Sequence, residues 1–540
     1  MSLSKTQPKS VVLYDTTLRD GAQRKGISFS LEDKLKITKL LDDFGVTFIE
    51  GGWPGSNPKD FEYFQRVKSM NLKHASIVAF GSTRKANCNA ADDVNLQRLL
   101  EADTPAVALV GKSSSKHVLK VLRTTLEENL EMIKDSIRFL KENGKVVIFD
   151  AEHFFDGFEE DKEYTLKALQ AAEEAGADWL VLCDTNGRHL PSNIARIVKE
   201  TKEVVSAELG IHAHNDSELA VANSLAAVEA GAKQIQGTIN GYGERCGNAN
   251  LVSLTPTLQL KMGYSCVPHG SLCRLTELSR TVSEIANLSP DPYAPYVGSA
   301  AFAHKAGLHA AAVEKFAASY EHMQPELVGN SREILISELS GRGNVRLLAS
   351  QISSNMPFAE QEVLNRIKDM EQKGYKFEDA QGSVELMMRR DDPDYVKPFE
   401  LIEIMVVVND RIGQGSSAEA VVKVKVGDTV FHTVSVGNGP VHALDCAFRK
   451  ALLPTYPMME EVRLVDYKVR ILDPEQATEA TTRVVLEATD HAERWSTVGV
   501  SDNIIEASCQ ALVDSHELYL ARCFSSNYSA NAQQVQEVVA

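Results

Sequence analysis

VVLYDTTLRDGAQ, Val11 to Gln23, reads as a short apolar strand that delivers Asp15, Arg19 and Asp20 as it ends. Val, Leu and Tyr suit a pleated, buried position. An α/β barrel places its functional groups just beyond the C-terminal ends of such strands. The same texture recurs to about Leu254, in VTFIEG (Val46–Gly51), ASIVAF (Ala75–Phe80), AVALVG (Ala106–Gly111), KVVIFD (Lys145–Asp150), DWLVLC (Asp178–Cys183), LGIHAH (Leu209–His214) and KQIQGT (Lys233–Thr238). Between these runs lie amphipathic stretches such as LEDKLKITKLLDDFG and SELAVANSLAAVEAG, which end in Gly as a helix C-terminus should. Eight strand and helix units in about 250 residues is the length of a TIM (β/α)8 barrel. A doubly wound open sheet is the rival.

GIHAHND (Gly210–Asp216) carries the strongest chemical signal. Alternate residues of a strand share a face, so His212 and His214 point the same way. If the fold brings Asp20 beside them, the three make a mixed nitrogen and oxygen site for one divalent metal, with open positions for substrate. A His-x-His pair alone is as readily a pair of hydrogen-bonded strand histidines. The barrel reading adds context. Arg19 and Asp20 follow strand one, Asp150 and Glu152 end strand five, Asp184 and Thr185 follow strand six, and NGYGERCGN (Asn240–Asn248) follows strand eight. All would gather at the C-terminal mouth, where barrel active sites are built. Helix capping or turn solvation explains one such residue better than it explains five strand ends.

Two other motifs fail. Gly111-Lys112-Ser113 resembles the end of a phosphate-binding loop, but the required upstream glycine is Ala106. Gly241, Gly243 and Gly247 have the wrong spacing and follow the last strand, whereas a dinucleotide fingerprint follows the first. That segment reads as a tight loop over the site.

The chain has 540 residues, enough for more than one domain. Its formal charge of -17 argues against nucleic acid or an anionic membrane as the main partner, and any anionic substrate needs a local positive pocket. Eight scattered cysteines without a CxxC pair suit a reducing compartment. The polar first ten residues and the lack of an 18-residue apolar run lead to no expected signal peptide or membrane span, hence to a cytoplasmic protein.

From Ser271 to about Arg390 the pattern is mainly helical, and beyond Asp391-Asp392-Pro393 it turns to Val- and Ile-rich strands. VSVGNGPVHALDCAFRKAL (from Val434) lines up with VGVSDNIIEASCQALVDS (from Val498), an internal repeat spaced 64 residues. Neither copy carries a cluster of catalytic residue types. The division expected is a barrel over 1–270, a helical linker region over 271–390 and a C-terminal α+β domain over 391–540.

DTTLRDGAQ, GIHAHND and INGYGERCGN together resemble the metal-dependent acyl-CoA condensing enzymes, the 2-isopropylmalate, homocitrate and citramalate synthases. The resemblance extends through FAHKAGLHAAAVEK (Phe302–Lys315) into the C-terminal half. IEGGWPGSNPKD (Ile49–Asp60), FDAEHFFDGF (Phe149–Phe158) and LVLCDTNG (Leu180–Gly187) look closest to the longer citramalate-forming members. The resemblance implies a Claisen-type condensation of acetyl-CoA with pyruvate and water to (R)-citramalate and CoA. The alternatives are 2-oxoisovalerate as acceptor, as in 2-isopropylmalate synthase, or a lyase running the reverse cleavage.

By the same resemblance, one divalent ion (zinc, manganese, magnesium or cobalt) is held by Asp20, His212 and His214, with Asn248 close by. Arg19 stabilises the developing alkoxide, and Gln23 and Thr185 bind substrate. His309, Tyr320 and Glu152 provide the base, His309 reaching into a neighbouring subunit of a homodimer; His304 is its competitor. The C-terminal domain is expected to be regulatory and dimerising, with isoleucine as effector. Asp150 is a departure, since some relatives carry an apolar or hydroxyl residue there.

Overall fold

Strands β1 (Val12–Asp15), β2 (Phe48–Gly52), β3 (Ser76–Ser82), β4 (Ala106–Lys112), β5 (Val146–Glu152), β6 (Trp179–Asp184), β7 (Glu208–Ala213) and β8 (Gln234–Gly237) pair in sequence order, all parallel. β1 also pairs with β8, Val12 opposite Gln234 and Asp15 opposite Gly237, so the sheet closes and the open-sheet alternative is excluded. The computed structural model describes residues 9–306, 309, 312–313, 315–337, 340–352, 360–411, 415–490 and 493–539.

These strands are apolar without alternation because both faces are covered, by helices outside and side chains inside. Tyr14, Val78, Phe80, Ala106, Ala108, Ile148, Val181 and Cys183 form the buried interior cluster. The helix boundaries follow local chemistry. Helix α1 (Leu31–Phe44) opens on a capping box, with Asp33 N donating to Ser30 Oγ at 3.2 Å and Ser30 N donating back to Asp33 Oδ2 at 2.9 Å. It stops at Gly45, whose φ of 98° and contact with the Pro268 ring leave no room for a Cβ. Helix α2 (Ala220–Ala230) ends likewise at Gly231.

The chain forms two compact units, Met1–Phe302 with Gln324–Ser331, and Ala303–Met323 with Arg332–Ala540. The second unit begins with a small parallel ladder, β9 (Ala303–His304) with β10 (Glu333–Ile334). Helices α3 (Arg342–Ile352), α4 (Glu360–Gln372) and α5 (Gln381–Arg390) pack around Val345, Ile367, Phe377 and Val384.

Two antiparallel sheets follow. The first is β11 (Glu400–Arg411), β12 (Gly415–Val426) and β13 (Thr429–Gly437), covered by α6 (Pro440–Leu452). The second is β14 (Arg463–Ile471), β15 (Thr482–Thr489) and β16 (Arg494–Ser501), covered by α7 (Ile504–Val539). The internal repeat survives at atomic level. Thr433 Oγ1 donates to Ala447 O at 2.8 Å, and Thr497 Oγ1 donates to Ala511 O at 2.7 Å, the same strand-to-helix bond in each copy.

Asp42 ties α1 to the segment entering β3, accepting from the backbone N–H groups of Lys73 (2.9 Å), His74 (2.8 Å) and Ala75 (2.9 Å). Burial acts to raise its pKa, but these three donors more than offset it and hold the carboxyl below its usual range. A depressed folded pKa stabilises the fold above the unfolded value near about 4 and loses that contribution as pH falls through the lower folded value. Asp42→Ala should therefore cost about 2 kcal/mol at pH 7. In urea unfolding, the gap between parent and variant should narrow as pH falls below about 4; an undiminished gap at pH 3 contradicts this account.

Candidate metal centre and substrate cavity

Glu50, on β2, is fully buried and organises the mouth of the barrel. Tyr14 OH and Arg19 Nε both donate to its carboxylate, and Thr16 Oγ1 donates to Oε1 at 2.8 Å. Arg19 lies over the Phe80 ring, its Cζ 3.9 Å from the centroid. Burial works against the Arg19 charge, but Glu50 and then Asp20 outweigh it and push its pKa further up. The guanidinium is thus a permanent cation held beside Asp20, with Nη1 3.4 Å from Asp20 Oδ2.

Asp20, His212 and His214 come together. His212 Nε2 is 3.2 Å from His214 Nε2 and 3.5 Å from Asp20 Oδ2, and one ligand atom from each of the three lies within 4.8 Å of the others. Burial lowers the pKa of both imidazoles, so both rings are neutral at pH 7 and carry lone pairs. Burial acts to raise Asp20, but Arg19 beside it is the main opposing influence and keeps the carboxylate below its usual range.

The loop after β8 supplies the next donor. His214 and Asn248 form an isolated antiparallel bridge, and Asn248 Nδ2 donates to Tyr242 O at 3.1 Å. The buried Asn248 Oδ1 has no hydrogen-bond partner among the described residues. Gly243 and Gly247 are required for this approach. Asn248 Nδ2 would lie 2.2 Å from a Cβ at Gly243, and Gly241 O only 2.0 Å from one at Gly247, with φ positive at both. One carboxylate oxygen, two imidazole nitrogens and a spare amide oxygen fit a divalent ion that takes mixed N/O ligands.

Asp20, His212 and His214, with Arg19, line a cavity of about 620 Å³ at the C-terminal mouth. Gln23, Asp150, Glu152 and Thr185 also line it, so those sequence-derived candidates converge on one space. Lys112 Nζ donates to Glu152 Oε2, and Thr185 Oγ1 accepts from His153 N at 2.9 Å. Burial, then repulsion by Glu50, raises the Asp150 pKa to about 8. Asp184 faces away from this space, toward Asn223 Nδ2 at 3.3 Å. Trp53, Phe80, Val110 and Cys183 give the cavity its apolar wall, and Lys85, Lys112 and Arg84 add positive charge.

In the second unit, the His309 ring stacks on Tyr320 with centroids 4.1 Å apart, and both residues are exposed. His304 sits in β9. It is buried, with Nε2 3.0 Å from Glu321 Oε1, and Arg332 Nη2 donates to the same carboxylate at 2.6 Å. His304 is thus tied down, whereas the His309 ring is open to solvent.

Sequence reasoning passed over Tyr14, Thr16, Glu50, Lys112 and Gln236. Glu50 closes an apolar run, which marks a strand end but not a hub, and Lys112 carries only the pattern of a broken phosphate loop.

A barrel with this mouth falls in the HMGL-like class, whose family model matches residues 10–282. Residues 296–375 match a homocitrate synthase post-HMGL domain-like model, and residues 379–520 match the LeuA allosteric (dimerisation) domain. The chain is 50% identical to an (R)-citramalate synthase of Geobacter sulfurreducens, covering 94% of this chain and 97% of that protein. It is 49% identical to another from Synechocystis, over 97% of this chain and 99% of that protein. A 2-isopropylmalate synthase of Methanocaldococcus jannaschii is 31% identical over 95% of this chain and 96% of that protein. The chain belongs to the (R)-citramalate synthase family, a family of condensing acyltransferases. Among the described residues no helix is long and apolar enough to cross a membrane.

Equilibrium dialysis against Mn²⁺ should find one ion per chain, and His214→Ala should weaken its retention at least about tenfold. Equal retention by parent and variant would count against the site.

Proposed function

We propose that this chain joins the methyl carbon of acetyl-CoA to the ketone carbon of pyruvate and then hydrolyses the thioester, giving (R)-citramalate and free CoA. The observation that carries the reading is the Asp20, His212 and His214 donor set sharing one cavity with the Arg19 cation. The identity to (R)-citramalate synthases supports pyruvate as acceptor.

The residues divide the work by charge. Asp20, His212 and His214, with Asn248 near them, would hold a divalent cation, which acts as a Lewis acid and template for the 2-oxo acid. Arg19, clamped by Glu50, cannot give up its proton or swing away. It stabilises negative charge growing on the former ketone oxygen, a task suited to a fixed donor in a drying site. Gln23 and the Thr185 hydroxyl, whose proton is free to donate, bind the substrate carboxylate. The trp and phe side of the wall, Trp53 and Phe80, leaves the acceptor an apolar surface.

The acetyl methyl proton goes to the His309 imidazole. Its exposed ring, stacked on Tyr320, suits a base that completes the site of a second copy, with Glu152 as its carboxylate partner. The apolar residues left exposed on the two C-terminal sheets, among them Ile402, Met405, Val436, Leu464 and Ile471, support a homodimer. The match to an allosteric domain supports a feedback effector, which we take to be isoleucine.

Thiol release from acetyl-CoA, followed with a panel of 2-oxo acids, should be fastest with pyruvate, depend on added divalent metal and slow with isoleucine. A preference for 2-oxoisovalerate would replace the acceptor assigned here. His309→Ala should slow hydrogen exchange at the acetyl methyl group by about 100-fold while leaving pyruvate binding in place. Unchanged exchange would move the base elsewhere, to His304 first.

A further inference from the structure

Asp150 and Gln236 are buried polar residues on opposite sides of the barrel interior, on β5 and β8, and the reaction just described gives neither a task. They are linked. Gln236 Nε2 donates to Asp150 Oδ1 at 2.9 Å, and Gln236 Oε1 lies 2.9 Å from His212 Nδ1. Gln236 stands opposite His212 in the β7–β8 register, which sets the side chains together. The chain of bonds ends at His212 Nε2, 3.2 Å from His214 Nε2 and 3.5 Å from Asp20 Oδ2.

We infer that Gln236, oriented by Asp150, is a positioning residue that fixes His212 as the Nδ1–H tautomer and so aims its Nε2 lone pair at a divalent cation. The inference rests on the metal reading above and adds the device that prepares the ligand.

The direction of each bond follows from donor chemistry. The Gln236 amide turns its NH2 toward an Asp150 oxygen and its carbonyl toward the imidazole, the only orientation an ionised carboxylate accepts. A carbonyl facing Nδ1 requires the ring proton there, which leaves Nε2 unprotonated. The flipped amide would set carbonyl against carboxylate and place its NH2 against Nδ1. The ring proton would then sit on Nε2, pointing into the position a cation needs. A protonated Asp150 keeps the same bond by accepting from the amide through its carbonyl oxygen while its hydroxyl turns elsewhere, so the observed arrangement serves both forms. His214 has no such support, since its buried Nδ1 lacks a hydrogen-bond partner among the described residues. The pre-setting of the ligand pair therefore falls on His212 alone. Partners of this kind on metal-bound histidines are worth roughly 10- to 100-fold in affinity.

The test uses the full-length chain and Mn²⁺ in equilibrium dialysis at neutral pH, with folding of each variant checked by circular dichroism. Gln236→Met keeps the volume and removes both bonds, and should weaken Mn²⁺ binding by about 10- to 100-fold. Asp150→Asn retains an oxygen that accepts from the Gln236 amide and should stay within about threefold of the parent, as expected when the second-layer hydrogen bond is preserved. Nitrogen-15 NMR of labelled histidine in the metal-free chain should show Nδ1 protonated and Nε2 bare for His212 in the parent, and a tautomer mixture in Gln236→Met. A folded Gln236→Met with parental Mn²⁺ affinity, or a parent whose His212 carries its proton on Nε2, overturns the inference. A parent that binds no Mn²⁺ overturns the metal reading and this inference with it, an outcome distinct from the other two.

Discussion

The ion pair between Glu50 and Arg19 is the constraint on which the mouth of the barrel depends. A carboxylate with no exposure is costly unless paired and hydrogen-bonded, and Glu50 meets that requirement with Tyr14, Thr16 and Arg19 together. The pairing crosses from β2 to the segment after β1, so it also fixes the turn that presents Asp20. Remove Glu50 and Arg19 is left with Asp20 as its counter-charge, at 3.4 Å, and loses the carboxylate that holds its Nε. The guanidinium stacked over Phe80 shows how tightly that geometry is held.

Around this pair the charges are sorted by environment. Asp20 stays ionised because the Arg19 cation faces it, whereas Asp150, on the same cavity wall, is pushed upward by burial and by Glu50. Burial keeps His212 and His214 neutral. One acidic chain, strongly negative overall, thus contains a pocket where Arg19, Arg84, Lys85 and Lys112 gather positive charge. Local placement, rather than net charge, decides what such a pocket can accept.

The second unit follows a different logic. Each of its two sheets is covered by the helix that follows it, and the matched Thr433 and Thr497 bonds show that one packing solution is used twice. Apolar strand residues stay exposed in both, Met405 and Val436 in the first sheet and Leu464 and Ile471 in the second. The match to the LeuA allosteric (dimerisation) domain falls on this module, apart from the barrel that carries Asp20, His212 and His214.

The barrel was legible because a doubly covered parallel sheet must be written as repeated apolar runs, and all eight were readable within a few residues. The repeat was legible because duplicated packing preserves spacing. Asp20, His212, His214 and Asn248 could be singled out as residue types at strand ends. Their convergence, though, is a property of closure, since Asp20 and His214 are separated by almost the whole first domain and meet only because β1 pairs with β8. The parts that tertiary structure alone decided are the buried hydrogen bonds. Nothing in the order of residues distinguishes Glu50 as a hub, His304 as a tethered side chain, or Gln236 as the link between Asp150 and His212. Each depends on which side chains from distant strands face one another, a matter set by register and barrel geometry rather than by local pattern.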